Sequence, residues 1–291
     1  MAMNAKNVKP YKSKLDDGAA YWMARIAKAV YQRKAEDDPE PDADKILEEL
    51  REGDPGREHD LKDPGFEKVI TADHHSAQGA LILHKYYACI AFRGTDEGND
   101  WLDDLNVMCD ETDFGECHRG FHRSCMDIWE PLHNAYLETQ AQDRTHKAHP
   151  RPLFLTGHSL GGGMCTVAAS LLLAKDEPFI SAYTFGQPRA LTRDTSHKFN
   201  GLAKERYFRF QNNNDIVTRV PPRLLGFSHV GSLLYIDEHQ VIHNDAGFWY
   251  RFLDSVQGAI DSIPEKGLDA VEDHGMEHYL HAIQSWNTHL E

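Results

Sequence analysis

The spacing of apolar residues changes period along this chain. Tyr21, Trp22, Ile26, Ala29 and Val30 recur at helical intervals, which predicts an amphipathic helix over about 17–33. The stretch that follows, about 35–64, is dense in Asp, Glu, Pro and Gly. Its one apolar patch, Ile46, Leu47 and Leu50, predicts a solvated connection holding one small helix. From Phe66 the texture shifts to short apolar or β-branched runs at 66–71, 80–84 and 86–92, separated by polar turns, and these predict successive strands. A helical period over 121–139, a strand at 153–156, an apolar helix over 164–174, strands at 180–185 and 206–210, and helices over 248–260 and 268–286 complete the pattern. Strands alternating with helices predict an α/β fold: a mainly parallel central sheet flanked by helices, with early hairpins adding antiparallel edge strands. No internal repeat is visible, and one domain over 1–291 is the expectation.

Within that pattern, Leu153-Phe154-Leu155-Thr156 runs directly into Gly157-His158-Ser159-Leu160-Gly161-Gly162-Gly163. A buried strand, a sharp turn carrying one serine, and a helix start form a nucleophile elbow, which lifts the serine hydroxyl above the sheet edge. The bare G-x-S-x-G pattern recurs by chance in roughly one chain in ten of this length, so the flanks carry the reading. Residues Met164 to Ala174 are small or apolar on nearly all sides, as a buried helix requires.

Composition narrows the partners. With 31 basic against 46 acidic side chains and a net charge of −15, the chain is repelled by nucleic acid and by anionic membrane surfaces. No stretch reaches the roughly 18 apolar residues of a membrane span, so no integral membrane segment is expected. The N-terminus lacks an apolar targeting region, and the five cysteines form no C-x-x-C pair; an odd count favours a reducing, cytoplasmic setting, with secretion open if a leader was removed.

A serine nucleophile needs a histidine base, and the histidine needs an acid to fix its tautomer. In elbow enzymes of this fold both follow the serine, acid first. Asp215 stands at a predicted strand end, within the loop from Asn212 to Pro222. For the base, eighteen histidines offer too many choices: His274 opens a late helix, and His229 and His243 are rivals. His274, His278 and His281 share a helical face, yet without a Cys or acidic ligand at a recognised spacing the row predicts no metal site.

The chain resembles the class 3 lipases, an α/β-hydrolase family. The resemblance rests on Ala91-Phe92-Arg93-Gly94-Thr95 followed by Asp100 to Leu105; His118-Arg119-Gly120-Phe121; the elbow; Thr184-Phe185-Gly186-Gln187-Pro188-Arg189; the Asp215 loop; and His274 with Tyr279-Leu280. It implies Ser159 as nucleophile, Asp215 as acid and His274 as base. It also implies an oxyanion hole from the backbone N–H groups of Leu160 and Thr95, and a lid over 96–106 whose Trp101, Leu102 and Leu105 face the substrate. That segment is acidic, with Asp96, Glu97, Asp100, Asp103 and Asp104, which leaves lipase and simple carboxylesterase both open.

The implied reaction is hydrolysis of a carboxylic ester through an acyl-enzyme, with acylglycerols as the leading substrates and transient contact with a lipid–water interface. No metal or organic cofactor is expected. Phospholipase and feruloyl-type esterase activity are the alternatives within the same chemistry, because any ester whose two halves fit is cleaved by the same groups. A lipase-like binding module without catalysis is the alternative outside it.

Overall fold

The structure is a computed structural model that describes residues 7–35, 38–53, 61–75, 77–94, 108–146, 149–213, 215–244 and 274–286. Asp16 caps the first helix, α1 (Asp17–Ala29), by accepting the Ala19 N–H at 3.1 Å, while Lys9 and Lys12 pair with the same carboxylate at 3.1 and 2.8 Å. The periodicity predicts this helix as far as Arg33, but it stops at Ala29. The Gln32 carbonyl instead takes the Asp42 N–H at 2.9 Å, which folds the chain into the ribbon of β1 (Arg33–Ala35) and β2 (Asp38–Pro41). The acidic stretch is therefore more than a connection: Asp42 caps α2 (Ala43–Glu52), whose Ile46 and Leu50 are fully buried.

A hairpin of β3 (Phe66–His74) and β4 (Ala77–His84) leads to β5 (Ala88–Phe92). After the short β6 (Cys109–Glu111) and β7 (Glu116–His118) come the long α3 (Arg119–His146), β8 (Leu153–His158), α4 (Leu160–Ala174) and β9 (Ser181–Phe185). Then follow β10 (Leu191–Thr192), α5 (Arg193–Ala203), β11 (Tyr207–Asn212), β12 (Phe227–Ser228), β13 (Ser232–Ile236), β14 (Ile242–His243) and α6 (Met276–Ser285).

Eight strands form the main sheet in the order β14-β13-β11-β9-β8-β5-β4-β3. The run from β13 to β5 is parallel, with β14, β4 and β3 antiparallel at the edges. Both faces are covered, and side chains alternate between them: along β5, Cys89 and Ala91 join the core under α1 and α6, while Ala88, Ile90 and Phe92 join the core under α3 and α4. A separate four-stranded sheet, β12-β10-β7-β6, was not predicted; its strands are two or three residues long and show no alternation.

Parallel strands deliver their carboxyl ends to one edge, and the loops there are the place where a site assembles. Gly94 after β5, Ser159 after β8, Gly186 after β9 and Asp215 after β11 all reach it. Among the described residues, no helix is long and apolar enough to cross a membrane.

Candidate active site

Ser159 sits between β8 and α4 with φ 57° and ψ −132°, a left-handed turn unusual for a residue with a side chain. Its N–H is bonded to the Phe185 carbonyl at 3.0 Å, which pins the turn to the neighbouring strand. The close approach of the helix start explains the glycines: a Cβ on Gly161 would lie 2.1 Å from the Phe92 carbonyl oxygen. The Ser159 hydroxyl makes no capping bond to α4, so it is not spent on the helix. Leu160 is the first residue of α4, and its N–H is among those at a helix start that lack an intrahelical partner. Such donors suit a developing oxyanion.

Asp215 is fully buried. Both carboxylate oxygens lie against His274 Nδ1, at 3.0 and 2.9 Å. The Val217 N–H donates to Oδ1 at 2.9 Å, and the Tyr279 hydroxyl donates to Oδ2. Tyr279 in turn accepts the Asn212 N–H at 3.0 Å, so one phenol ties the acid to the end of β11. Because a carboxylate only accepts, His274 carries its proton on Nδ1 and presents a lone pair at Nε2. That Nε2 is buried and has no hydrogen-bond partner among the described residues. The contact of acid and base needs Gly186, which has φ +59°; a Cβ there would fall 2.7 Å from both Asp215 Oδ2 and His274 Cε1.

The remaining contacts tie the base to the elbow. The His158 ring stacks on the His274 ring with centroids 4.6 Å apart, and its Nε2 lies 2.8 Å from the His274 carbonyl oxygen. That carbonyl accepts, so His158 is protonated on Nε2 and accepts at Nδ1, which sits 2.9 Å from the Tyr31 hydroxyl. Tyr31 completes the chain by accepting the Gly94 N–H at 3.1 Å. One directional path thus joins the turn after β5, the elbow and the base. Burial, reinforced by the facing His274, holds the His158 imidazole far below the ordinary histidine range, so it serves as a neutral brace.

The other loops at this edge are fixed by polar side chains of the Thr184 to Arg189 segment. Gln187 accepts from Thr184 at 2.6 Å and from Tyr207 at 2.9 Å. Arg189 donates to the Pro221 carbonyl at 2.9 Å and to the Arg219 carbonyl, bracing the chain just beyond Asp215.

Of the residues singled out in the sequence, Ser159, Leu160, Asp215 and His274 come to the same edge. Thr95 and the acidic segment with Trp101, Leu102 and Leu105 lie outside the described residues. The rival histidines are engaged elsewhere: His229 Nε2 meets the Thr218 carbonyl at 2.8 Å, and His243 Nε2 meets Asp237 at 2.7 Å. His278 and His281 are exposed on α6. Of the participants, Tyr31 is not singled out by the sequence, while His158, Gly186 and Tyr279 stand there only as parts of motifs.

A family model described as Lipase (class 3) matches residues 89–225. Among curated relatives, the secreted mono- and diacylglycerol lipase 1 of Fusarium solani is 30% identical, over 51% of this chain and 43% of its own. The lipase of Rhizomucor miehei is 29% identical over 52% and 42%, and the phospholipase A1-II 1 of Oryza sativa is 26% identical over 60% and 47%. The chain spans less than half the length of these relatives. Among solved structures, Rhizomucor miehei triacylglyceride lipase superposes with a TM-score of 0.58 at 23% identity, covering 75% of this chain and 79% of that one. A second, described as a triacylglycerol lipase whose catalytic centre is formed by a serine protease triad, gives 0.61 at 19% identity, covering 89% and 92%. These likenesses show the α/β-hydrolase fold.

Proposed function

We propose that the chain is a class 3 lipase, as the family model over residues 89–225 and the 30% identity to a fungal acylglycerol lipase support, and that it is a serine hydrolase of carboxylic esters, a single catalytic domain with acylglycerols as its substrates. His274 takes the Ser159 proton on Nε2 as the serine oxygen attacks the ester carbonyl. The backbone N–H groups of Leu160 and Thr95 hold the resulting oxyanion. His274 then passes the proton to the departing alcohol, and water, deprotonated by the same nitrogen, releases the acid. Asp215 fixes the tautomer and balances the charge that forms on the imidazole. The cycle uses no metal and no organic cofactor.

The observation that supports this reading most directly is the doubly contacted Asp215–His274 pair, whose Nε2 is buried without a hydrogen-bond partner among the described residues, stacked on His158, the residue before a serine held at φ 57°. Similarity to lipases of mono-, di- and triacylglycerols favours lipid esters. Trp101, Leu102 and Leu105 are assigned to the lid and acyl contact, and a transient encounter with a lipid–water interface follows. Similarity to the rice phospholipase favours a second reading, in which the alcohol half carries a phosphate.

The test is hydrolysis of a p-nitrophenyl ester series and of emulsified acylglycerols and phospholipids, wild type beside Ser159→Ala. We expect turnover to fall by about 10⁴-fold or more in the variant with its thermal stability retained. Acylglycerol turnover that rises at the interface is the predicted result. Preference for the phospholipid selects the second reading, and absence of Ser159-dependent turnover on every ester overturns both in favour of a binding module.

A further inference from the structure

Away from the catalytic groups, the tip of the β3–β4 hairpin carries two adjacent histidines facing one acid. His74 pairs with Ala77 across the hairpin, so His75 begins the turn, and its φ is +52°. Successive side chains on a regular strand point to opposite faces, but this turn breaks the alternation and brings the two imidazoles together, with centroids 3.9 Å apart. Helix α3 packs against β3 and β4 and offers Asp127 to the pair. His74 Nδ1 lies 3.5 Å from Oδ1 and His75 Nδ1 lies 3.4 Å from Oδ2.

Those separations distinguish the cluster from hydrogen-bonded pairs in the same protein. His84–Asp63, His122–Asp110, His243–Asp237 and His274–Asp215 have contacts of 3.2, 3.0, 2.7 and 2.9 Å. Two ligand atoms each bound at about 2.0–2.1 Å to a tetrahedral zinc ion lie about 3.3 Å from one another, close to the spacing at this turn. Three candidate ligand atoms, one from each residue, fall within 4.8 Å of one another, and this is the one such group among the described residues. The imidazoles are 58% and 69% exposed, so a hydrated ion reaches them without displacing protein.

We propose that His74, His75 and Asp127 bind a late first-row divalent cation of the zinc class, clipping the hairpin tip to α3. Two imidazoles and one carboxylate suit zinc and leave a position for water. The register places the clip in the fold: Ala72, Gly79, Phe92 and Gly157 lie in one row across β3, β4, β5 and β8. His74 and Ser159 each stand two residues beyond that row, on the same sheet edge, three strand spacings or about 14 Å apart. The ion is thus separate from the hydrolytic chemistry and acts on the stability of the edge.

Zinc titration of the full chain by calorimetry tests this, with wild type beside Asp127→Asn and the double variant H74Q/H75Q. Ester hydrolysis and the melting temperature in EDTA verify that each variant is folded. The expected result is one zinc equivalent in the wild type whose affinity falls at least tenfold in both variants. Zinc at about a hundred times Kd should also raise the wild-type Tm by several degrees and leave the variants unmoved. If Asp127→Asn fails to fold, the double variant decides. Unchanged affinity and stoichiometry in the folded variants, or no wild-type binding at 100 µM zinc as an upper limit of about that order, overturns the proposal.

Discussion

The nucleophile and the acid–base pair are positioned by different kinds of force. Ser159 is held by main chain: a strand on one side, a helix on the other, a bond from its N–H to Phe185, and glycines where backbones nearly touch. His274 stands just before a ten-residue helix and is held by side-chain contacts, to Asp215 through Nδ1 and to His158 through ring stacking and its carbonyl. Close backbone approach tolerates no added atom, whereas a polar network loses strength one bond at a time. Damage at the elbow should therefore appear first as lost folding, and damage at the network as lost rate.

The largest effect is expected at Gly161. Alanine there would press on the Phe92 carbonyl from 2.1 Å, and overpacking against backbone should cost about 3 kcal/mol or more, read as a lower urea midpoint. Gly201, in α5, has nothing within 4 Å of its would-be Cβ, so Gly201→Ala should stabilise by about 0.5–1 kcal/mol through helix propensity alone. Equal outcomes at the two glycines would break the contrast.

Acid should be the next strongest perturbation. His158 and His229 are both held neutral by burial, His158 with His274 against it and His229 facing Arg209, Arg189 and Arg223. Their folded affinities for protons are lowered, so the unfolded chain binds more protons once the pH drops below about 6.5. The stability these groups contribute is present above that pH and is lost as pH falls below it, at about 1.4 kcal/mol per pH unit for each. Denaturation midpoints between pH 7.5 and 5.5 measure this slope, and His229→Gln should remove about one proton's share.

At the network, Tyr279→Phe deletes a donor to Asp215 and removes the hydroxyl that accepts the Asn212 N–H. We expect about a tenfold fall in kcat with KM little changed, a split that lost packing alone would not produce. Tyr31→Phe is milder: it breaks the path between Gly94 and His158 but leaves the His274–Asp215 contact, so a loss of about two- to fivefold in kcat is expected. A larger effect from Tyr31 than from Tyr279 would mean that the elbow side, not the acid, governs the placement of the base.

The same division decided what could be read from the chain. The elbow was legible because strand, glycines and buried helix are contiguous, and the parallel sheet followed from the alternation of periods. The base was legible only through the family resemblance, since eighteen histidines have similar local surroundings and His274 is distinguished from His229 and His243 by contacts with Asp215, 59 positions away. Tyr31 was hidden for a physical reason. The helical period runs on past Ala29, but the chain leaves the helix there and turns Tyr31 towards His158. The small sheet joins a local hairpin, β6 with β7, to β10 and β12 by long-range pairing, and strands of two or three residues are too short for a local pattern to encode.

The central claim, that Ser159 is activated by His274, is tested most directly by covalent labelling with a fluorophosphonate probe followed by peptide mapping. One probe per chain is expected, on Ser159, with ester hydrolysis lost in proportion, and labelling slowed by orders of magnitude in His274→Ala. Labelling at another residue, or hydrolysis that survives full modification of Ser159, would contradict it.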